Sequence, residues 1–152
     1  MRVIVGIDPG AVSGAWGMIN HHGEYHASGF IPHDAGRVKA RQFNDDLLKA
    51  INFEDSMFVI EDVHAMPKQG VSSTFMFGRA VGVIEAVVQL HFQPWFIVRP
   101  QRWKSDMGVT ADKETSLELA RSMWPEAPLK RKKDHGVAEA LLMAEWLRRQ
   151  EL

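Results

Sequence analysis

The sequence has no cysteine, which excludes disulfides and thiolate metal sites, so any metal centre must be built from oxygen and nitrogen donors. The same absence fits a reducing cytoplasm. No apolar run approaches membrane-spanning length, and the opening MRVIVGIDPG is too short and too soon broken for a signal peptide, so no membrane partner is expected. A net charge of −1 gives no global pull on nucleic acid, and such a partner must be held by a local patch. There is no Walker A loop and no nucleophile elbow, so no nucleotide cofactor is expected. With no repeat, low-complexity segment or linker, the 152 residues read as one domain, 1–152, with ordinary globular proportions of 45% hydrophobic and 24% charged residues.

The charge that is present is uneven. Residues 99–133 hold nine Lys and Arg against five Asp and Glu, four of the cations consecutive in KRKK at 130–133. A charge run is most simply a solvated loop, and nucleic-acid binding is the sharper alternative.

Hydrophobic periodicity gives strands first and helices later. RVIVGID is a buried strand running into an Asp-Pro-Gly turn. SGAWGMIN and EYHASGFI, joined by HHG, extend it into an antiparallel meander. RQFNDDLLKAI is helical, SMFVIEDV is a fourth strand, HAMPKQGVSST a polar loop and FMFGRAVGVIEAVVQLHF a long helix. PWFIVR is a fifth strand, followed by a short helix from Pro100, an amphipathic helix DKETSLELARSMW and a last helix from Asp134. The order implies an α/β fold with a mixed, five-stranded central sheet flanked by helices.

Three acids stand at informative places. Asp8 ends the first strand and Glu61 the fourth, where ligands commonly bind in α/β folds. Glu139 interrupts the apolar run of the last helix, HGVAEALLMAEWL, although burying a carboxylate is unfavourable unless something pairs with it. If the first and fourth strands are neighbours, the three acids converge. Their repulsion then requires a proton or a cation, and oxygen ligands without thiolates suit Mg²⁺ or Mn²⁺. Two such ions about 3.5–4 Å apart activate water and stabilise the leaving oxygen in phosphodiester hydrolysis. Each acid also has a plain alternative: Asp8 as a turn residue, Glu61 as a strand end reaching solvent, Glu139 pointing outward with Glu145. His21, His22 and His26 have loose zinc-like spacing but lie in a turn and a strand without Cys partners, so zinc is not expected. Trp16, Trp95 and Trp146 are most simply core.

Four blocks in register resemble the RuvC-type Holliday junction resolvases, and among them the short bacteriophage-type members: GIDPG…SG, VIEDVHAMPKQGVSSTFMFGRAVGVIEA, P..WK at 100–104, and KKDHGVAEALLMAEW. The resemblance spans essentially the whole chain. It implies an RNase H-like fold, a homodimer, and a crossover junction endodeoxyribonuclease. Such an enzyme uses Mg²⁺, with Mn²⁺ substituting and two ions per site, to nick two strands of a four-way junction, leaving 5′-phosphate and 3′-hydroxyl ends. Other branched DNA is a further substrate class, and the location implied for a phage protein is the host cytoplasm.

On this resemblance Asp8, Glu61 and Glu139 are catalytic metal ligands, Glu139 standing where the family usually has Asp. The fourth position is open. The family's acid three or four residues upstream is replaced by Gly136 and His135; His135 shares a helix face with Glu139, whereas Asp134 is a harder ligand or an N-cap. Asp134 and His135 are both kept as catalytic candidates, with a slight lean to Asp134 as the metal ligand. In the middle block Lys68, Ser72, Ser73 and Thr74 are expected to meet phosphates. Phe75 and Phe77 are expected in the core, with stacking on an unpaired base as the alternative role of an exposed Phe75. Arg79 serves either interface or DNA, and the helix carrying Gly78 and Gly82 is the expected dimer surface. Arg102, Lys104, Lys132 and Lys133 complete a basic track.

Two rivals remain. GIDPGAVSG also resembles the first phosphate loop of actin-like ATPases and sugar kinases, which need a second subdomain that 152 residues do not hold. A non-catalytic junction-binding protein is the other, against which three acids near phosphate argue.

Overall fold

In a computed structural model, described for residues 2–150, seven strands and five α-helices follow one another. They are β1 Arg2–Asp8, β2 Ala15–Asn20, β3 Tyr25–Phe30, β4 His33–Asp34, β5 Arg37–Val38, α1 Ala40–Ile51, β6 Asp55–Glu61, α2 Val71–Gln89, β7 Trp95–Val98, α3 Pro100–Met107, α4 Lys113–Met123 and α5 His135–Arg149. Residues 1, 151 and 152 of the expected domain lie outside the described residues. Strands β4 and β5 form a small separate hairpin, and the other five make one sheet in the order β3-β2-β1-β6-β7. The β1–β2 and β2–β3 pairs are antiparallel, as the meander requires. The β1–β6 and β6–β7 pairs are parallel. The fold is RNase H-like, with the mixed five-stranded sheet expected.

Strand alternation sorts the core into two layers. Val3, Val5 and Ile7 of β1, with Phe58 and Ile60 of β6, pack with Phe43 and Leu47 of α1 and Ile84 and Val88 of α2. Ile4, with Met57 and Val59, faces the other way into a core shared with Trp103, Leu117, Trp124 and the α5 residues Ala138, Leu141 and Leu142. Asp8 and Glu61 continue this second set. They therefore emerge on the α5 side of the sheet.

Helix ends follow local chemistry. Asp112 caps α4 by accepting from the Glu114 N–H at 3.0 Å. Pro100 opens α3, where its missing N–H is harmless, and Gly108 closes it in the left-handed conformation, φ 72°.

The seating of α5 depends on a cross-strand glycine pair. Gly6 and Gly17 are register partners in β1 and β2. A Cβ on Gly6 would collide with the Ala140 carbonyl group, and one on Gly17 would lie 2.8 Å from Leu141 side-chain atoms. Two adjacent positions without side chains thus let the helix backbone settle onto the strands.

Three expectations are corrected. Helix α2 begins at Val71, so Ser72, Ser73 and Thr74 form its first turn rather than a loop, with the Thr74 N–H donating to Gly70 O at 2.9 Å. Phe75 is 68% exposed, because the buried stripe of α2 runs through Ala80, Ile84, Val87 and Val88 and Phe75 falls off it; Phe77, on the stripe's side, is half-buried. Finally, α2 is long and apolar enough to cross a membrane by length and composition. Arg79 and Glu85 interrupt it, which is why it escapes notice as an apolar run.

Candidate active site

Asp8 and Glu61 owe their meeting to register. Strands β1 and β6 run parallel with Ile7 opposite Ile60, so the next residue of each chain end is an acid, and both leave the sheet at the same edge. Gly136, in the first turn of α5, lies against this edge: a Cβ there would stand 3.3 Å from Asp8 Oδ2. One turn further along, Glu139 is 6% exposed and its charge acts on both strand acids. Burial, then the charges of Glu61 and Glu139, hold the Asp8 carboxyl well above the usual carboxylate range, against a downward pull from Lys104 and Lys113. Glu61 is also raised, by burial first and by Glu139, while a hydrogen bond from Trp103 opposes the shift.

Helix α3 grips this cluster with two consecutive residues. Trp103, fully buried, donates from Nε1 to Glu61 Oε2 at 2.7 Å. Lys104 Nζ lies 3.4 Å from Glu139 Oε2. On the other side of Glu139, His135 Nδ1 is 3.6 Å from Oε1; this nitrogen is buried and has no hydrogen-bond partner.

Asp134 is engaged elsewhere. Its Oδ2 accepts from the Arg131 backbone N–H at 2.8 Å and from Nε at 3.3 Å, and its Oδ1 from Nη2 at 2.8 Å. The Arg131 hydrogen bonds hold its carboxyl below the usual range, and its side chain is 3% exposed. With both oxygens bound to a guanidinium, Asp134 secures the short 3₁₀ turn Lys132–Asp134 that leads into α5. Asp134 thus has both oxygens engaged by Arg131, whereas His135 Nδ1 stands beside Glu139 without a hydrogen-bond partner.

The donor set fits a hard divalent cation in kind: Asp8 and Glu61, both with raised proton affinity, stand with the buried Glu139 carboxylate and a buried imidazole nitrogen that has no partner. Among the described residues, no group of three His, Asp or Glu side chains is gathered tightly enough to hold an ion as it stands.

The other candidates are spread around the site. Lys68, Ser72 and Ser73 are exposed, with Lys68 at φ 69° and Ser73 Oγ accepting from Gln69 Nε2 at 3.2 Å. Thr74 is partly covered. Arg79 lies over the Phe75 ring, 5.6 Å from its centroid. Arg102 pairs with Asp106 at 3.3 Å, and Trp146 Nε1 donates to the same carboxylate oxygen at 2.8 Å. Lys132 and Lys133 are exposed. Of the tryptophans placed in the core, Trp16 and Trp146 are buried and Trp95 half-buried. His26 donates from Nε2 to Ala50 O at 2.6 Å, and the His21 and His22 rings lie against each other at 3.9 Å, tilted by 42°. Trp103, Lys113 and Arg131 are additions that sequence reasoning missed; the WK pair in P..WK was the one signal available for Trp103.

Over its full length the chain is similar in fold to RuvC of T. thermophilus. The structure of that protein in complex with a Holliday junction substrate gives a TM-score of 0.73 at 16% identity, covering 99% of this chain and 96% of that one. A second Thermus thermophilus RuvC structure gives 0.71 at 18% identity, covering 97% and 96%. In sequence, a 50-residue stretch is 46% identical to the chloroplastic Holliday junction resolvase MOC1 of Chlamydomonas reinhardtii; the stretch is 30% of this chain and 6% of that protein. No family model matches.

Proposed function

We propose that this chain, RuvC-like in fold, is a metal-dependent, structure-selective endodeoxyribonuclease that resolves four-way DNA junctions, and other branched DNA, by paired phosphodiester hydrolysis. The observation that carries the proposal is the meeting of Asp8, Glu61 and Glu139 at one sheet edge, where burial and mutual repulsion raise the proton affinity of Asp8 and Glu61. Acids packed in this way next to a polyanionic substrate are unfavourable for binding alone and useful for holding cations. That distinguishes the proposal from a non-catalytic junction-binding protein. The sequence and fold similarities to resolvases support the substrate class.

In this reading Asp8, Glu61, Glu139 and His135 hold the metal, proposed as two Mg²⁺ ions with Mn²⁺ substituting. When bound, divalent cations supply an activated water and stabilise the leaving oxygen, giving 5′-phosphate and 3′-hydroxyl ends. The chain's own residues set up that chemistry. Trp103 keeps one Glu61 oxygen occupied by its hydrogen bond and leaves the other available to a cation. Lys68, Ser72, Ser73, Thr74, Arg79, Arg102, Lys104, Lys132 and Lys133 are assigned to the DNA backbone, and the exposed Phe75 to stacking on an unpaired base at the junction centre.

Paired cutting needs two sites related by a two-fold axis. We assign the homodimer contact to α2, on which Val71 and Phe75 are exposed and Gly78 and Gly82 face open space. A single nuclease domain over 1–152 and a cytoplasmic location, the host's if phage-encoded, complete the proposal.

The test is incubation with an end-labelled four-way junction. Paired nicks in Mg²⁺, absent in EDTA and religated by DNA ligase without end treatment, are expected. Binding without cleavage by the wild type in Mg²⁺ and in Mn²⁺ overturns the enzyme in favour of the binding protein.

A further inference from the structure

Lys104 occupies an unusual place for a residue assigned to DNA phosphate. Its ammonium is 3.4 Å from Glu139 Oε2, and its side chain is only 22% exposed. Its Nζ lies 5.6 Å from the centre of the Trp103 ring. The same charge acts on Asp8 and on Glu61, lowering the proton affinity of both against burial. One ammonium thus serves all three acids. It donates hydrogen bonds and accepts none, so the lone pairs it uses on Glu139 are those a metal ion would need.

We infer that Lys104 is a built-in counter-ion of the acidic centre, paired with Glu139 in the metal-free chain and displaced from it when a divalent cation loads. The inference rests on the metal-dependent reading above. Its physical basis is competition for one carboxylate: a single tethered charge partly neutralises three acids, and a divalent ion neutralises them better while excluding the ammonium by repulsion. The lysine stem is long and flexible enough to swing, whereas Trp103, fully buried and bonded to Glu61, anchors α3 beneath it. Displacement then delivers Lys104 to the DNA backbone at the moment the site becomes competent. Metal loading therefore adds more positive potential facing DNA than the ion alone supplies.

The experiment measures Mn²⁺ binding to the DNA-free protein by electron paramagnetic resonance of the unbound ion, at fixed ionic strength. Lys104→Met keeps the stem and removes the charge. It is expected to bind Mn²⁺ about tenfold more tightly than wild type, with Lys104→Arg close to wild type. In EDTA, Lys104→Met is expected to melt lower than wild type and to regain more of its melting temperature on adding Mn²⁺. Unchanged or weaker Mn²⁺ affinity in Lys104→Met, with native circular dichroism, overturns the inference. Should that variant not fold, Lys104→Gln is judged by the same criterion. Asp8→Asn separates the two levels. If it loses Mn²⁺ while Lys104→Met gains nothing, the metal centre stands and the counter-ion falls; if it binds like wild type, both fall.

Discussion

The indole N–H of Trp103 and the carboxylate of Glu61, 42 residues apart in sequence, are joined by a buried 2.7 Å hydrogen bond. Because the bond favours the ionised acid, it opposes the upward shift that burial imposes on Glu61. Trp103→Phe keeps the ring and removes the donor. We expect a loss of about 1.5–3 kcal/mol in chemical denaturation, the range for a hydrogen bond to a charged group. We also expect the acid limb of the pH–rate profile to move to higher pH, since Glu61 then holds its proton more tightly. A loss of stability with an unmoved acid limb would make Trp103 purely structural.

Asp8 and Glu61 both have raised carboxyls in the metal-free chain. A raised acid disfavours the folded state wherever it is ionised, so without metal these two make the protein less stable above their folded values, and stability returns as pH falls towards the ordinary carboxylate range. Asp134 works in the opposite sense: lowered by Arg131, it stabilises above its unfolded value and loses that contribution as pH falls through its folded one. Asp8→Asn should therefore raise the melting temperature in EDTA at neutral pH by about 2–4 °C, equivalent to roughly 1 kcal/mol in a chain of this size. It should also abolish Mg²⁺-dependent cleavage while junction binding is kept or tightened. Calorimetry in EDTA across the pH range checks the first part, and a lower melting temperature for Asp8→Asn at neutral pH refutes it.

Asp134 and His135 are neighbours with different surroundings, and their variants should separate. His135→Ala is expected to lose most cleavage and weaken Mn²⁺ binding with little change in stability, and His135→Asp to recover part of the cleavage through a harder oxygen ligand. Asp134→Asn leaves Arg131 without its anionic partner and should act chiefly on folding, by about 1.5–3 kcal/mol. Urea denaturation alongside single-turnover cleavage distinguishes them; the reverse pattern would restore Asp134 as the ligand.

Gly82 has nothing within 4 Å of where its Cβ would be. In an isolated chain Gly82→Arg should be tolerated, even stabilising the helix by about 0.5–1 kcal/mol. If α2 is the dimer contact, the same change should convert dimer to monomer in sedimentation and replace paired nicks with unpaired ones. A dimer that survives Gly82→Arg unchanged places the contact elsewhere.

The sheet was legible because its strands are short apolar runs separated by Asp-Pro-Gly and His-His-Gly, and the acids because Asp8 and Glu61 follow β-branched runs directly. Side-chain partnerships were not. Trp103 looks like any core tryptophan until the third dimension places it beside Glu61, and KRKK gives no sign that Arg131 is the cation that binds the Asp134 carboxylate. The start of α2 is hidden in the sequence because Ser72, Ser73 and Thr74 favour loops by local propensity, while here they continue a helix begun at Val71. Phe75, large and apolar, reads as a core residue by composition and stands exposed. Exposure of such a residue is decided by the position of the buried stripe, which composition does not reveal.

Gly6 and Gly17, under α5, set the height at which Glu139 stands over the sheet. A methyl group at Gly6 would meet backbone, so the helix rather than a side chain would have to move, with a penalty of about 1–3 kcal/mol and a displaced third carboxylate. The three acids are thus mounted on the rigid frame, two on adjoining strands and one on a helix held by contact with them. The segment 62–70 and the first turn of α2, which carry Lys68, Ser72, Ser73 and Thr74 of the proposed DNA contacts, are largely exposed and contribute none of the three acids. On the proposed reading, this exposed segment is free to diversify towards new DNA shapes, while the frame that mounts the three acids tolerates almost no adjustment.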